Sequence, residues 1–239
     1  MRLDQFITEK LKISKNKAQN LIKSLKVSVN NKIIKKSGFE VSSSDKIDIS
    51  ESEELNYVAR SALKLKGFFE ENFIDLEDKI CLDVGSSTGG FCQILLEKGV
   101  LKIFAVDVGT SQLHPILREN KKIISLENTD IRNLEKLKNL DFITCDVSFI
   151  NLEKILDSII FQMEEKTKVL LLFKPQFQVG KEFINKKGVV KDKKIIENKL
   201  NDFLVFARES GLKVLKVEKS KIFGENGNEE VFILAEKRS

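Results

Sequence analysis

The chain has 239 residues, 41% hydrophobic and 32% charged, with a formal net charge of +5. No apolar run approaches the roughly 20 residues that cross a bilayer, and the N-terminus lacks the uninterrupted apolar core of a secretory signal, so neither is expected. Cys81, Cys92 and Cys145 are odd in number, widely spaced and without a CxxC pair; this argues against a structural zinc site and for a reducing, cytoplasmic setting.

The positive charge is concentrated at the front. Residues 1–50 hold 11 Lys/Arg against 5 Asp/Glu, and the rest of the chain is close to neutral. That asymmetry suggests a polyanion-binding module joined to a neutral body, with a solvated basic helix face as the plainer alternative. Leu3, Phe6, Ile7 and Leu11 follow helical spacing, and Ser14 is placed to cap a second helix carrying Ala18, Leu21 and Ile22. Val27-Ser28-Val29 alternates, Asn30-Asn31 tolerate the positive φ of a tight turn, and Ile33-Ile34 and Lys46–Ile49 read as further short strands. Lys10, Lys12, Lys15, Lys17, Lys23 and Lys26 crowd the helices, a surface suited to phosphates.

With Arg2-Leu3-Asp4, the basic helix start Ser14–Ala18 and the Val-x-Val-Asn strand ending at Asn30, residues 1–50 resemble the S4 RNA-binding domain. Leu25 or Lys26, and Asn31, stand where the family usually has glycine, and Lys15 stands where arginine is common. The resemblance implies RNA contacts from Arg2, Lys10, Lys12, Lys15, Lys17, Lys23, Lys26 and, beyond the domain, Arg60.

Residues 51–56 are acidic and polar without periodicity and read as a linker. From residue 57 to 239 apolar runs alternate with amphipathic stretches. Ile80–Val84, Ile103–Asp107, Phe142–Val147, Val169–Phe173 and Val231–Ala235 are such runs. Continuous apolar strands separated by helical patterns predict an α/β domain with a mostly parallel sheet covered on both faces.

The first of these runs enters Asp83-Val84-Gly85-Ser86-Ser87-Thr88-Gly89-Gly90-Phe91, where glycines let the backbone turn sharply and approach a ligand. The spacing is neither GxGxxG nor a GK[ST] phosphate loop. Asp107, followed by Val108, ends the next strand about 20 residues later, where a carboxylate can accept hydrogen bonds from two ribose hydroxyls. Asp130 follows a third strand and is placed to meet an adenine amino group. Each aspartate has the plainer reading of a loop cap. Asp146 and Lys174 end strong apolar runs, and Pro175 stops the strand after Lys174. With Lys64 and Glu230 they fall on one presumed side of the sheet.

Tyr57–Leu65, Asp83–Phe91, Cys145–Ile150, Phe173–Phe177 and Gly227–Val231 occur in the order of the FtsJ-like ribose 2′-O-methyltransferases, and with the S4-like front the chain resembles the TlyA (haemolysin A) family end to end. Ser61-Ala62 depart from the family's Gly-Gly. The resemblance implies a Rossmann-like, seven-stranded methyltransferase domain binding S-adenosylmethionine, and transfer of a methyl group to a cytidine ribose of 23S rRNA or of a ribosomal subunit. It puts a Lys-Asp-Lys-Glu tetrad on Lys64, Asp146, Lys174 and Glu230, with Glu229 as a rival to the last. Asp146 would also border the cofactor. A ribose hydroxyl is a poor nucleophile beside an already activated methyl, so the enzyme must align the displacement and remove a proton. Lys174 is the expected centre, and Lys64 would stabilise developing oxyanion character or tune Lys174, with Asp146 and Glu230 positioning both.

Other residues carry plainer readings. His114 beside Pro115 suits a helix start, and Cys145 suits burial. Gly180 to Lys194, rich in lysine, is either an RNA-gripping loop or a solvated one. Neither a metal site nor an assembly beyond a monomer or weak dimer is expected. The competing functions are a non-catalytic S4-type assembly factor and, more remotely, a membrane-lytic protein.

Overall fold

The computed structural model describes residues 1–50, 53–224 and 226–238. The chain divides into two units, Met1–Arg60 and Ser61–Ser239.

In the first unit, helices α1 (Leu3–Leu11) and α2 (Lys15–Lys23) pack their apolar stripes together. Leu3, Ile7, Ala18, Leu21 and Ile22 are fully buried there, each large aliphatic contributing roughly 1.5–3 kcal/mol on transfer from water. Ser14 caps α2, its Oγ accepting the Lys17 N–H at 3.3 Å. Strands β1 (Val27–Val29), β2 (Lys32–Ile33) and β3 (Ile47–Ile49) form an antiparallel sheet in the order β2-β1-β3. Asn30 and Asn31, at φ 50° and 63°, make the turn between β1 and β2.

Residues 53–56 are less linker-like than their composition suggests. They form a 3-10 turn, and the Lys17 ammonium donates to the carbonyls of Leu55 and Tyr57 at 2.9 and 2.7 Å. Leu55 packs against the first unit's core, and the two compact units divide after Arg60. Glu51 and Ser52, at the start of the expected linker, lie outside the described residues.

The second unit is a seven-stranded sheet. Its parallel strands are β4 (Ile80–Val84), β5 (Lys102–Val106), β6 (Ile123–Leu126), β7 (Phe142–Cys145) and β8 (Lys168–Phe173); β9 (Leu212–Lys219) and β10 (Val231–Lys237) complete it. The order is β6-β5-β4-β7-β8-β10-β9, with β10 antiparallel to both neighbours. Helix α3 (Ser61–Glu71) precedes β4, and α4 (Gly90–Glu97), α5 (Pro115–Arg118), α6 (Glu153–Gln162) and α7 (Lys193–Glu209) connect later strands. Alternation along β10 explains two-sided burial. Ile233 joins Leu156, Ile159, Phe173 and Phe203 in the core beneath α6 and α7, while Phe232 points the other way and meets Phe68 of α3 and Phe91 of α4 at centroid distances of 5.0 and 6.3 Å. Chain order reverses at β4, with β5 and β6 on one side and β7 and β8 on the other. This switch opens a crevice beyond the carboxyl ends of the strands.

Candidate active site

The glycine-rich turn leaves β4 into that crevice. Gly85 and Ser86 both donate their N–H to the Val106 carbonyl, at 2.8 and 3.1 Å, which folds the turn over the end of β5. Gly85 has φ +80°, and a Cβ there would lie 2.8 Å from the Asp146 carbonyl oxygen, so the position requires glycine. Gly89 caps α4, and Gly90 and Phe91 begin that helix, buried. Ser87 and Thr88 are exposed at the rim, while Ser86 is buried.

Asp107 follows the last residue of β5, and its carboxylate accepts the N–H groups of Ser87 at 2.8 Å and Gly109 at 2.7 Å. It therefore locks the rim while staying only half-buried, and Val108 beside it is 69% exposed. Asp130 caps the turn Ile131–Asn133, and both its oxygens contact the Arg132 guanidinium at 2.6–3.1 Å. That guanidinium holds the carboxyl below its ordinary range. Asp83 differs from these. It is fully buried, accepting from the Thr144 hydroxyl at 2.7 Å and the Cys92 thiol at 3.1 Å, and burial pushes its pKa up to about 6.

Two lysine–carboxylate pairs lie at the neighbouring strand ends. Lys64, one turn into α3, donates to Glu230 Oε2 at 2.6 Å, both groups buried. Lys174, next after β8, lies 2.6 Å from Asp146 Oδ1, next after β7. This contact is an ion pair rather than an aligned hydrogen bond, because Asp146 Oδ1 has no hydrogen-bond partner among the described residues. The aligned bond from Lys174 goes to Ser148 Oγ at 3.0 Å. The β10–β8 ladder pairs Val231 with Phe173, and one step further the same register sets Glu230 beside Lys174. Glu229 instead points to the surface and pairs with Lys219 at 2.8 Å. The close packing of Glu230 also accounts for Gly224, where a Cβ would come within 2.5 Å of Glu230 Oε1.

Phe149 lies in the Cys145–Ile150 motif, but the sequence assigns it no role of its own, since a phenylalanine after a strand reads as core. In the structure it is 91% exposed, holds φ +64°, and stacks at 5.0 Å on Phe177, whose ring lies 6.0 Å from the Lys174 ammonium. A bulky side chain at positive φ is a strained placement that concentrates at functional sites. The contacts of Thr144 and Cys92 are likewise invisible without the fold, because strand register and a helix turn deliver them.

Of the basic residues at the front, Lys10, Lys12, Lys15 and Lys23 are exposed. Arg2 forms a two-pronged pair with the buried Asp4 at 3.0 and 2.7 Å, and Lys17 serves the carbonyls of Leu55 and Tyr57. Lys26 and Arg60 are half-buried. His114 is the N-cap of α5 and Cys145 is fully buried. No cluster of three or more His, Cys, Asp or Glu suited to a metal occurs among the described residues.

Comparison with known proteins adds a family. The FtsJ-like methyltransferase family matches residues 57–237 and the S4 domain residues 1–47. The 23S rRNA (cytidine-2′-O)-methyltransferase TlyA of Campylobacter jejuni is 44% identical, covering 97% of this chain and 98% of its own. The 16S/23S rRNA (cytidine-2′-O)-methyltransferase TlyA of Mycobacterium tuberculosis is 32% identical over 92% of this chain and 83% of its own. A solved hemolysin-type protein of Streptococcus thermophilus superposes with a TM-score of 0.79 at 31% identity, covering 100% of this chain and 89% of that one.

Proposed function

The chain belongs to the TlyA family of S4-containing, FtsJ-like rRNA 2′-O-methyltransferases, and we propose that its target is a cytidine ribose of 23S rRNA and that Lys64, Asp146, Lys174 and Glu230 carry the reaction. Two lysine–carboxylate pairs at neighbouring strand ends, beside a glycine turn open to a ligand, carry this reading. The more similar relative is named for 23S rRNA alone, which favours the large-subunit target. The reaction is placed in the cytoplasm, on rRNA or a ribosomal subunit, with the protein acting as a monomer or weak dimer. No helix among the described residues is long and apolar enough to cross a membrane.

The crevice fits S-adenosylmethionine. Exposed Ser87 and Thr88 line its rim, Gly85 and Gly89 let the turn pack closely on the Asp146 carbonyl and the Leu113 and Leu117 side chains, and the half-buried Asp107 carboxylate has lone pairs left for ribose hydroxyls. Val108 offers an apolar surface to an adenine ring, and Asp130 would meet its amino group in competition with Arg132. Bound there, the cofactor supplies a methyl group activated by its sulfonium.

The chain's own residues then orient the nucleophile and take its proton. Lys174, once the proton it shares in its pair with Asp146 has passed to solvent, would accept the proton of the 2′-hydroxyl, and Asp146, 2.6 Å from the Lys174 nitrogen, would hold that side chain toward the reacting ribose. Lys64, fixed by Glu230, sets positive charge beside the oxygen as negative charge develops. Exposed Phe149 provides a stacking face for an unpaired base, the usual way a protein holds a splayed-out RNA nucleotide.

Transfer of labelled methyl from S-adenosylmethionine to rRNA, with the modified nucleotide mapped, tests the substrate. Lys174→Ala is expected to lower kcat by about 10²–10⁴-fold while cofactor binding persists. Undiminished transfer by this variant would remove Lys174 from the mechanism.

A further inference from the structure

The segment between Lys174 and α7 is a built hairpin rather than an open loop. Ile184 and Val190 form an antiparallel bridge, and Asn185 closes the turn between them. Its N–H donates to the Val189 carbonyl at 3.0 Å, its carbonyl accepts the Gly188 N–H at 2.8 Å, and its Oδ1 accepts the N–H groups of Lys187 and Val189 at 2.8 and 3.0 Å. Lys186 and Lys187 stand exposed at the tip.

The buried side-chain amide of Asn228 fastens this hairpin to the segment that leads into β10. Asn228, 2% exposed, donates from Nδ2 to the Gly188 carbonyl at 2.8 Å and accepts the Val190 N–H on Oδ1 at 3.0 Å. Its own carbonyl accepts the Gly224 N–H at 2.9 Å, and two residues later Glu230 holds Lys64. Both ends of a buried side-chain amide are thus spent on one hairpin. Aspartate would set a carboxylate against the Gly188 carbonyl, and an apolar residue would leave that carbonyl and the Val190 N–H unpaired.

The charge of this segment stands apart from its surroundings. Residues 181–194 carry Lys181, Lys186, Lys187, Lys191, Lys193 and Lys194 against Glu182 and Asp192, within a body that is otherwise slightly acidic. Two lysines on a pre-ordered tip lose little backbone freedom on binding a polyanion. Resting on the rRNA methyltransferase reading above, we propose that hairpin 184–190 is a phosphate-gripping element for the substrate RNA, with Lys186 and Lys187 as its contacts and Asn228 as the positioning residue that keeps it in register with Glu230.

Full-length protein and 23S rRNA, titrated over a range of salt, test this. Lys186→Ala/Lys187→Ala changes only exposed side chains; KM for RNA is expected to rise several-fold with kcat retained, and the plot of log affinity against log salt to become shallower by about 1.5. Asn228→Ala is expected to raise the same KM and to speed tryptic cleavage after Lys186 and Lys187, with the melting temperature of the second unit followed in parallel. An unchanged KM and salt slope in the double variant overturns the grip. A tryptic rate in Asn228→Ala that is unchanged, or that rises only with global unfolding, overturns the fastening. Filter binding of RNA to wild type and double variant reads the grip even if no methyl reaches rRNA, so a failed substrate assignment and a failed hairpin assignment are told apart.

Discussion

Ionising Asp83 is costly because, among the described residues, only the Cys92 thiol and the Thr144 hydroxyl reach its carboxylate and the residue has no exposure. Its pKa rises from 3.8 to about 6, chiefly through burial. The folded protein therefore holds this proton more tightly than the unfolded chain. The stabilisation is full below about pH 4, declines as the unfolded chain ionises, and is lost by about pH 6; a rise of that size corresponds to roughly 3 kcal/mol. Asp83→Asn is expected to flatten the rise of wild-type unfolding free energy as pH falls through that window, as measured by denaturant titration at a series of pH values. Parallel wild-type and variant curves would refute the linkage. At the same scale, the sequence singles out Asp83 by its place before the glycine turn but conceals its burial, because Thr144 arrives through the β4–β7 register and Cys92 through the turn of α4. The spacing to Val231-Phe232 favours Glu230 over Glu229 in the sequence but does not show the contact that Glu230 makes. Alternation at the start of β10 decides which carboxylate faces Lys64, and only the pairing with β8 fixes that alternation.

Elements place these residues, and the join between β4 and β7 is the tightest case. The Asp146 N–H donates to the Val84 carbonyl at 2.9 Å, and the Asp146 carbonyl faces the space a Cβ on Gly85 would fill. Gly85→Ala must strain the backbone at φ +80° and push the ends of β4 and β7 apart. Cofactor turn and tetrad share this one contact. Titration calorimetry should find S-adenosylmethionine binding at least about tenfold weaker, a cost near 1.4 kcal/mol, and kcat should fall too because Asp146 moves away from Lys174. Native affinity with normal turnover would show that the two sites are not mechanically joined. The strands bearing this contact are legible as continuous apolar runs because both of their faces are covered. β9 is not, since its eight residues lie at the sheet edge and Lys213, Lys216 and Lys219 break any apolar run.

At the scale of the whole molecule, positive charge and chemistry are segregated. The first fifty residues carry a large basic excess, whereas the tetrad and the cofactor crevice lie wholly within Ser61–Ser239. Binding and turnover are then separable by mutation. Lys12, Lys15 and Lys23 are exposed on or beside the first two helices, and reversing all three to glutamate is expected to raise KM for rRNA steeply. Because all three belong to the first unit and the proposed tetrad to the second, kcat at saturating RNA and affinity for S-adenosylmethionine should hold. Added salt should narrow the gap between wild type and variant, since each lost phosphate contact makes log affinity less steep in log salt by roughly 0.9. Lys17 provides the internal contrast. Its ammonium is already engaged by the Leu55 and Tyr57 carbonyls, so Lys17→Met is expected to lower the melting temperature of the first unit and leave the salt dependence of RNA binding nearly unchanged. A triple variant that loses kcat but keeps KM would mean that these helices act on the chemistry rather than on the encounter with RNA, and the division of labour between the units would fail.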